Sequence, residues 1–374
     1  MRQSIRIGRV FGIDIGLHPS WFVIFAIVTY SMAVGELPRS FPGWEPAMYW
    51  AIGAVISILF FSSVLAHELS HAVVARRFGL RVRDITLFIF GGATALEDEA
   101  KRPRDEALMA AAGPLTSLAI GAALWGIDAS VQQEYVNAIV GWLGFINLTL
   151  GVFNLIPGFP MDGGRILRAL LWRLRGDRYA ATRNAAAVGR GFGYLLIAGG
   201  VFLLFNGSNL FSGVWLALIG WFLSNAAEAT SAQVGIEQSL KGVHARDVME
   251  INPASVSPNE TVTTLVNERF MRGAGRSFLV RHDDGGLNGI VTLSDVRRVP
   301  RENWEGARVV DIMTRYADLA TIGPDEELVA ALQLLQEREV SQLPVVSDGG
   351  RTVLGLLTRA GILRLIEART RLGV

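Results

Sequence analysis

The chain has 374 residues, of which 51% are hydrophobic and only 18% are charged, and its net charge is +1. Because soluble domains carry about 25% charged residues, this composition argues against a disordered chain or a wholly soluble enzyme and points to membrane spans. The chain contains no cysteine, which excludes disulfide bonds, thiolate nucleophiles and cysteine-ligated metal centres.

Apolar runs dominate the first 228 residues, and we read six of them as transmembrane helices, because about 20 residues are needed to cross the hydrocarbon core. The runs are residues 17–34, 48–76, 106–127, 137–156, 191–206 and 210–228. The chain opens without the charged segment and small-residue cleavage site of a secretory signal, so we expect no cleaved signal peptide.

Basic residues orient these predicted spans. Segments 1–16, 76–105 and 157–190 contain 3, 7 and 7 Lys or Arg residues, whereas loops 35–47, 128–136 and 206–209 contain 1, 0 and 0. The positive-inside rule then predicts a multi-pass protein of the cell membrane with both termini in the cytoplasm. The same asymmetry argues against the alternative that some runs are core helices of a soluble protein.

Two of the five histidines lie in the second predicted span, in the motif His67-Glu68-Leu69-Ser70-His71. Residues i and i+4 of a helix share one face, so both imidazoles can bind one metal ion, with Glu68 placed to activate a water molecule. His67 precedes Arg76 by nine residues. That is about 14 Å of helix, which places the motif inside the bilayer, nearer its cytoplasmic face. Ionisable groups at that depth usually mark function, although a buried polar face without metal is the alternative.

A third metal ligand is expected, because catalytic zinc usually has three protein ligands and one open position. The best candidate is Asp162, at the end of the segment Asn154-Leu155-Ile156-Pro157-Gly158-Phe159-Pro160-Met161-Asp162. Prolines and glycines break the helix there, and irregular backbone at membrane depth is tolerated where it lines a cavity. A bend can turn the Asp162 carboxylate toward the histidines. The alternative is that Asp162 only caps the following helix, 163–175.

The composition after residue 228 is that of a soluble domain, since residues 241–374 contain 17 Lys or Arg and 18 Asp or Glu. Four short blocks recur in order at offsets of 64, 66, 65 and 66 residues. The repeated blocks are Val248-Met249 and Ile312-Met313, 256–260 and 322–326, 277–280 and 342–345, and 289–292 and 355–358. This period and its strand–helix–strand–strand–helix content resemble a tandem pair of cystathionine-β-synthase-type (CBS) domains. We predict a linker at 229–241 and the two α/β repeats at 242–303 and 304–374.

The membrane part, residues 1–228, resembles the site-2 protease family of intramembrane zinc metalloproteases. The resemblance rests on the His67–His71 helix, on the Asn-x₂-Pro-x₂-Pro-x-Asp-Gly segment from Asn154, and on Ala112-Gly113-Pro114 at the third span. It implies one zinc ion per chain, bound by His67, His71 and Asp162, with Glu68 as general base and acid. It also implies that Asn154 hydrogen-bonds the substrate carbonyl or oxyanion. His18 is either an interfacial residue, which we favour, or a displaceable fourth ligand.

The resemblance implies hydrolysis of peptide bonds within or near a transmembrane helix of a membrane-protein substrate, with regulation by the CBS pair. Residues 84–96 are predicted to form two strands around a glycine turn, which either pair with an unwound substrate or only plug the bundle. The expected partners are this substrate and the lipid bilayer, with homodimerisation through the CBS domains as a further option and no nucleic acid.

Two other classes of membrane protein are alternatives. A transporter or channel with a CBS regulatory pair would suit six spans but does not require the histidine motif with a distal aspartate. A membrane protease of the type acting on prenylated peptides would need a glutamate ligand on a later helix, where the sequence offers only Glu228 at a membrane edge.

CBS pairs of this kind can hold an adenine nucleotide through a Thr or Ser hydroxyl on phosphate and an Asp carboxylate on the ribose. Thr292-Leu293-Ser294-Asp295 matches that pattern, whereas the second repeat has Gly361 in place of the acid. We therefore predict at most one nucleotide site, formed by Thr292, Asp295 and a phosphate contact from Arg359. The alternative is a CBS pair that only dimerises or docks on the membrane domain.

Overall fold

The structure is a computed structural model that describes residues 4–89, 91–96, 100–206, 210–273, 275–281, 286–347 and 352–372. The chain divides into two compact units, Met1–Val234 and Gly235–Val374. Each unit is described by itself below.

The first unit combines a small sheet with long helices. Its strands are β1 (Ile5–Val10), β2 (Ile13–Leu17), β3 (Val82–Phe88) and β4 (Gly91–Leu96). Its helices are α1 (Ser20–Tyr30), α2 (Leu37–Ser40), α3 (Pro46–Arg77), α4 (Pro103–Asp128), α5 (Glu134–Asn154), α6 (Asp162–Arg175), α7 (Arg178–Phe205) and α8 (Leu210–Leu240). A π-helical stretch, Ser31–Glu36, joins α1 to α2.

Among the described residues, five helical segments are long and apolar enough to cross a membrane. They are Ser20–Ser40, Pro46–Arg77, Pro103–Asp128, Glu134–Asn154 and Arg178–Phe205, which overlap the first five predicted runs. The sixth run, 210–228, lies within α8, so the described helices support a multi-pass protein but do not confirm a count of six. Large apolar side chains on these helices are exposed, as lipid-facing residues must be, for example Phe22, Leu59, Phe145 and Leu195.

Helix α3 is the longest of the unit, and it carries the histidine motif. Its 32 residues begin with Pro46, which suits the first helical position, and end at Arg76 and Arg77, whose charges favour the negative end of the helix dipole. A helix of that length is about 48 Å long and exceeds the hydrocarbon core of about 30 Å. It packs against α1, α4, α5 and β4. The motif therefore lies among helices on several sides.

The four-stranded sheet has the order β1-β2-β3-β4, with the central β2–β3 pair parallel and the outer pairs antiparallel. The two strands predicted within residues 84–96 are confirmed as β3 and β4, although the predicted turn glycines, Gly91 and Gly92, are the first residues of β4. The β1–β2 hairpin was not predicted. The sheet packs on α3 through Ile13, Ile15 and Ile85, which surround Ala72. This packing fixes the sheet against the motif helix and leaves β4 at an edge of the sheet.

The second unit contains two sheets, built from β5 to β11. The strands are β5 (Glu250–Ile251), β6 (Ser255–Val256), β7 (Ser277–Arg281), β8 (Leu287–Thr292), β9 (Thr314–Arg315), β10 (Gln342–Val346) and β11 (Val353–Thr358). The helices are α9 (Ala245–Val248), α10 (Val262–Thr264), α11 (Leu293–Val296), α12 (Val309–Ile312), α13 (Leu328–Glu337) and α14 (Arg359–Leu372). A π-helical stretch, Leu265–Phe270, follows α10, and 3₁₀ turns cover Arg301–Asn303 and Tyr316–Asp318.

The two sheets of this unit reflect the internal repeat. One has the order β6-β7-β8-β9 and the other β10-β11-β5. The short β5, early in the first repeat, pairs with β11 of the second, and β9, early in the second, pairs with β8 of the first. The predicted linker 229–241 is helical over most of its length, because α8 continues to Leu240, whose side chain is buried with Val243 and Leu328.

Candidate metal centre

The two histidines of the motif converge as their spacing on α3 predicts. Both are buried, at 4% and 6% exposure, and their Nε2 atoms lie 3.2 Å apart. The rings meet edge to face. Each imidazole therefore directs the same ring nitrogen to one point inside the unit.

Asp162 reaches the same point from α6. It is the first residue of that helix, while Met161 occupies the capping position without a side-chain cap hydrogen bond. Its Oδ2 atom lies 3.2 Å from the Nε2 atoms of both His67 and His71.

The spacing of these three atoms fits zinc. Ligand atoms at 2.0–2.1 Å from a tetrahedral zinc ion lie about 3.3 Å from one another. Two imidazole nitrogens and one carboxylate oxygen are also a donor set that zinc takes in catalytic sites. Within the part of the chain that the structure describes, these residues form the one group of three or more potential metal ligands.

The outer nitrogens of both histidines are held by α4. His71 Nδ1 lies 2.7 Å from the carbonyl oxygen of Met109, so this nitrogen donates and leaves the Nε2 lone pair for a metal. His67 Nδ1 lies 2.9 Å from Ser117 Oγ. Both partners are almost fully buried. Sequence reasoning missed these contacts, since neither partner belongs to a metal-binding motif.

Gly113 explains how α4 comes so close to the imidazoles. A Cβ atom at this position would fall against the Nε2 atoms of both His67 and His71. No other residue type leaves that space free. The Ala112-Gly113-Pro114 sequence, noted above for its resemblance, therefore has a steric reason at its central residue.

Glu68 lies on the neighbouring face of α3, half-buried, and its carboxylate meets β4. Thr94 Oγ1 donates a 2.8 Å hydrogen bond to Glu68 Oε2. Gly92, on the same strand, is so close that an added Cβ would contact the Glu68 side chain. The sequence placed Glu68 beside the metal ligands but did not predict its contact with β4.

Asn154 and His18 are not members of the three-residue cluster. Asn154 ends α5, and its Nδ2 donates to the carbonyl oxygen of Leu150 at 3.0 Å. His18 lies just before α1, and its Nδ1 atom is 2.8 Å from Oγ of Ser20, the first residue of that helix. No hydrogen bond among the described residues joins either side chain to the cluster. Their predicted contacts with substrate or metal therefore stay predictions.

In the second unit, Thr292 and Asp295 form a helix cap. Asp295 Oδ2 accepts hydrogen bonds from the Thr292 amide at 2.9 Å and from its hydroxyl at 2.7 Å, and Asp295 is 7% exposed. In the second repeat the Thr358 hydroxyl accepts from the amide of Gly361, without an acid. Arg359 is exposed, and the described hydrogen bonds and ion pairs do not join it to Thr292 or Asp295.

Comparison with known proteins agrees with this arrangement. The sequence profile of peptidase family M50 matches residues 55–132 and 127–198, and that of the CBS domain matches residues 245–302 and 309–368. The chain is 37% identical over 372 residues to the Mycobacterium tuberculosis protein with the name zinc metalloprotease Rip3, covering 98% of this chain and 94% of that one. It is 30% identical over 381 residues to zinc metalloprotease MJ0392 of Methanocaldococcus jannaschii, covering 98% and 97% of the two chains.

Among solved structures, the chain is similar to the site-2 protease from Methanocaldococcus jannaschii. The two share 33% sequence identity over 61% of this chain and 95% of that chain, with a TM-score of 0.44. Because the 37% identity to the M. tuberculosis protein extends over 98% of this chain, it favours a metalloprotease over a transporter or channel. The chain belongs to peptidase family M50, as a site-2-type zinc metalloprotease with a C-terminal CBS domain pair.

Proposed function

We propose that this protein hydrolyses peptide bonds within or next to the transmembrane helices of membrane-tethered substrates. The observation that carries the proposal is the convergence of Asp162 on His67 and His71, which lie beside Glu68 on α3, a helix long enough to cross a bilayer. A site at that depth is reached most directly by a substrate that shares the membrane.

His67, His71 and Asp162 would hold one zinc ion per chain. Zinc bound by these residues would supply Lewis-acid activation of the scissile carbonyl and of a water molecule. The chain provides two imidazoles and one carboxylate, one ligand fewer than the usual four, which leaves a position for the reactants. Burial of both histidines and partial burial of Asp162 limit exchange of the ligands with bulk water.

Glu68 would act as general base and then as general acid. Its carboxylate would accept a proton from the attacking water and deliver it to the leaving amine. The hydrogen bond from Thr94 orients Oε2, and Gly92, which has no side chain, allows β4 to approach Glu68 closely. Half-burial of Glu68 is compatible with access by water, which would arrive from the cytoplasmic side.

Strand β4 would bind the substrate. A peptide bond inside a helix is hydrogen-bonded and sterically covered, so the substrate must unwind locally before attack. Because β4 is an edge strand of its sheet, an unwound segment can add to it by main-chain hydrogen bonds. The contact between Thr94 and Glu68 favours this role over that of a plug, since a peptide on β4 would run past the general base.

The remaining assignments are also part of the proposal. Asn154 would exchange its bond to the Leu150 carbonyl for one to the substrate carbonyl or oxyanion. Both termini would lie in the cytoplasm, as the basic residues predict. The CBS pair would regulate proteolysis through one adenine nucleotide, and through homodimerisation, by favouring one of two conformations of the protease.

The test uses the full-length protein in liposomes with a substrate that has a single transmembrane helix. Cleavage products are located by mass spectrometry, with and without a zinc chelator. We expect cleavage within or next to the helix, loss of activity with the chelator, and loss of activity with retained zinc in Glu68→Gln, because the amide cannot accept the proton. Cleavage by Glu68→Gln at the wild-type rate would contradict the proposal.

A further inference from the structure

A buried ion pair joins α4 and α6 beside the metal centre. Glu106 is 1% exposed, and its Oε1 atom accepts hydrogen bonds from both Nε and Nη2 of Arg168, the former at 2.6 Å. The Arg168 side chain is itself only 12% exposed. A charge pair at such a position is expensive to desolvate, so stability alone is a weak explanation for it.

The Glu106 end of the pair belongs to the helix face that holds the histidines. Glu106, Met109, Gly113 and Ser117 are spaced by three, four and four residues, which places them on one face of α4. Met109 and Ser117 bind the outer nitrogens of His71 and His67, and Gly113 lies against both Nε2 atoms. This face of α4 therefore orients two of the three proposed zinc ligands.

The Arg168 end belongs to the elements that carry the third ligand. Asp162 begins α6, and Arg168 follows it six residues later on the same helix. The Arg168 guanidinium also lies over the ring of Phe159, 5.2 Å from its centroid, and Phe159 precedes Asp162 by three residues. Arg168 thus follows Asp162 on α6 and contacts Phe159 before it, while its hydrogen bonds go to α4.

We propose that Glu106 and Arg168 are positioning residues for the metal centre. Neither touches the metal. Their bond sets the position of α6 relative to α4, so that the Asp162 carboxylate meets the imidazoles that α4 holds from the other side. The inference rests on the proposed zinc site, since it concerns the assembly of its third ligand.

Four variants of the full-length protein in detergent test this role. They are Glu106→Gln, Arg168→Lys, the double variant Glu106→Met with Arg168→Met, and the control Thr29→Val. Thr29 donates a buried hydrogen bond to Ser57 between α1 and α3, so its loss perturbs the same unit through a pair outside the metal centre. The double variant leaves no unpaired charge, and an apolar replacement of a buried ion pair is usually well tolerated.

Zinc affinity is measured by competition with a chromophoric chelator, the visible spectrum is recorded after Co²⁺ substitution, and thermal unfolding is followed without metal. We expect Glu106→Gln and the double variant to lose about 10–100-fold in zinc affinity, the range typical of groups that orient metal ligands, with an altered Co²⁺ spectrum. Arg168→Lys should lose less, because it keeps the charge but not the fork of donors. Thr29→Val should keep both the affinity and the spectrum.

The outcomes distinguish the positioning role of Glu106 and Arg168 from the proposed metal centre itself. If the double variant binds zinc within twofold of wild type with an unchanged Co²⁺ spectrum, the positioning role is wrong, whatever happens to its thermal stability. If the wild-type protein itself binds no zinc, the proposed metal centre fails, which is a different result. Should Glu106→Gln not fold, the double variant and Arg168→Lys decide the question.

Discussion

The Thr94 hydroxyl donates a 2.8 Å hydrogen bond to Oε2 of Glu68, which joins the edge strand β4 to the residue that follows the first histidine of the motif. The donor comes from a strand and the acceptor from a helix 26 residues earlier in the chain. A carboxylate held by one hydroxyl keeps its second oxygen available for proton transfer. The contact would connect the proposed binding of substrate by β4 with the position of the proposed general base.

Removing the Thr94 hydroxyl should impair catalysis without removing zinc. Thr94→Val keeps the branched shape but loses the donor, and a hydrogen bond to a charged group is worth about 1.5–3 kcal/mol, so we expect kcat to fall at least about tenfold. Thr94→Ser is the matched control and should retain most of the activity. The measurement is cleavage of the liposome substrate alongside metal analysis. Equal rates for the Val and Ser variants would rule out this orienting role.

Asp162→Ala should weaken zinc binding while the helical fold survives. The two histidines alone would leave zinc short of the three protein ligands of a catalytic site. Zinc affinity should fall by at least the 10–100-fold that is typical when a group that only orients a metal ligand is removed. Asp177→Ala is the control, because Asp177 lies at the start of the next helix, where it caps α7 by accepting a 3.0 Å bond from the Ala180 amide. One tightly held zinc ion per chain in Asp162→Ala would refute the ligand assignment.

The parts of the site that the sequence could predict are those with a fixed local spacing. His67 and His71 share a helix face whatever surrounds them. Asp162 follows the end of the fourth span, which the prolines and glycines before Asp162 predict. The repeat of the second unit is likewise visible as a period. Thr94, Ser117 and the Glu106–Arg168 pair were not predicted, because they depend on which distant elements become neighbours.

The fold, like the site, could be predicted only in part. Hydropathy located the five described spans but not their ends, since α7 begins at Arg178, well before the apolar run at 191. Its first turns are rich in alanine, which favours a helix without raising the hydropathy enough for a membrane segment. The β1–β2 hairpin was missed because glycines interrupt the alternation of its short strands, and β1 is exposed along its whole length.

Gly113 offers a steric test of the metal centre. In Gly113→Ala the new methyl group would press on both imidazole Nε2 atoms, so we expect zinc affinity to fall about tenfold or more. Gly126→Ala on the same helix meets no atom within 4 Å and should change nothing except a small gain in helix stability. The zinc affinity of both variants is measured by competition with a chromophoric chelator. Identical affinities would mean that α4 does not approach the metal ligands this closely.

The absence of cysteine makes the topology easy to test. Single cysteines at Ser130, in the loop after α4, and at the exposed Ser341 of the second unit can be labelled in cells with a membrane-impermeant maleimide. The predicted orientation requires labelling of Ser130→Cys in intact cells and of Ser341→Cys only after permeabilisation. The reverse pattern would contradict the cytoplasmic position of the CBS pair.

The cap formed by Thr292 and Asp295 bears directly on nucleotide binding. Asp295 Oδ2 is occupied by the Thr292 amide and hydroxyl, so the ribose hydroxyls would have to bond to Oδ1. Asp311 provides a matched cap, since its Oδ2 accepts a 3.0 Å bond from the Arg308 amide but belongs to no nucleotide motif. The two aspartates therefore share the capping role and differ in the predicted binding role.

Calorimetric titration of the full-length protein with ATP, ADP and AMP should give one site per chain. Asp295→Ala and Asp311→Ala should both lose some stability, typically about 1 kcal/mol for a cap, but only Asp295→Ala should lose affinity for nucleotide. Because Gly361 has no side chain to accept hydrogen bonds from a ribose, Gly361→Ala should not change the number of sites. A stoichiometry near two, or equal affinities for the two alanine variants, would refute the one-site assignment. No binding at all would favour a CBS pair that only dimerises or docks.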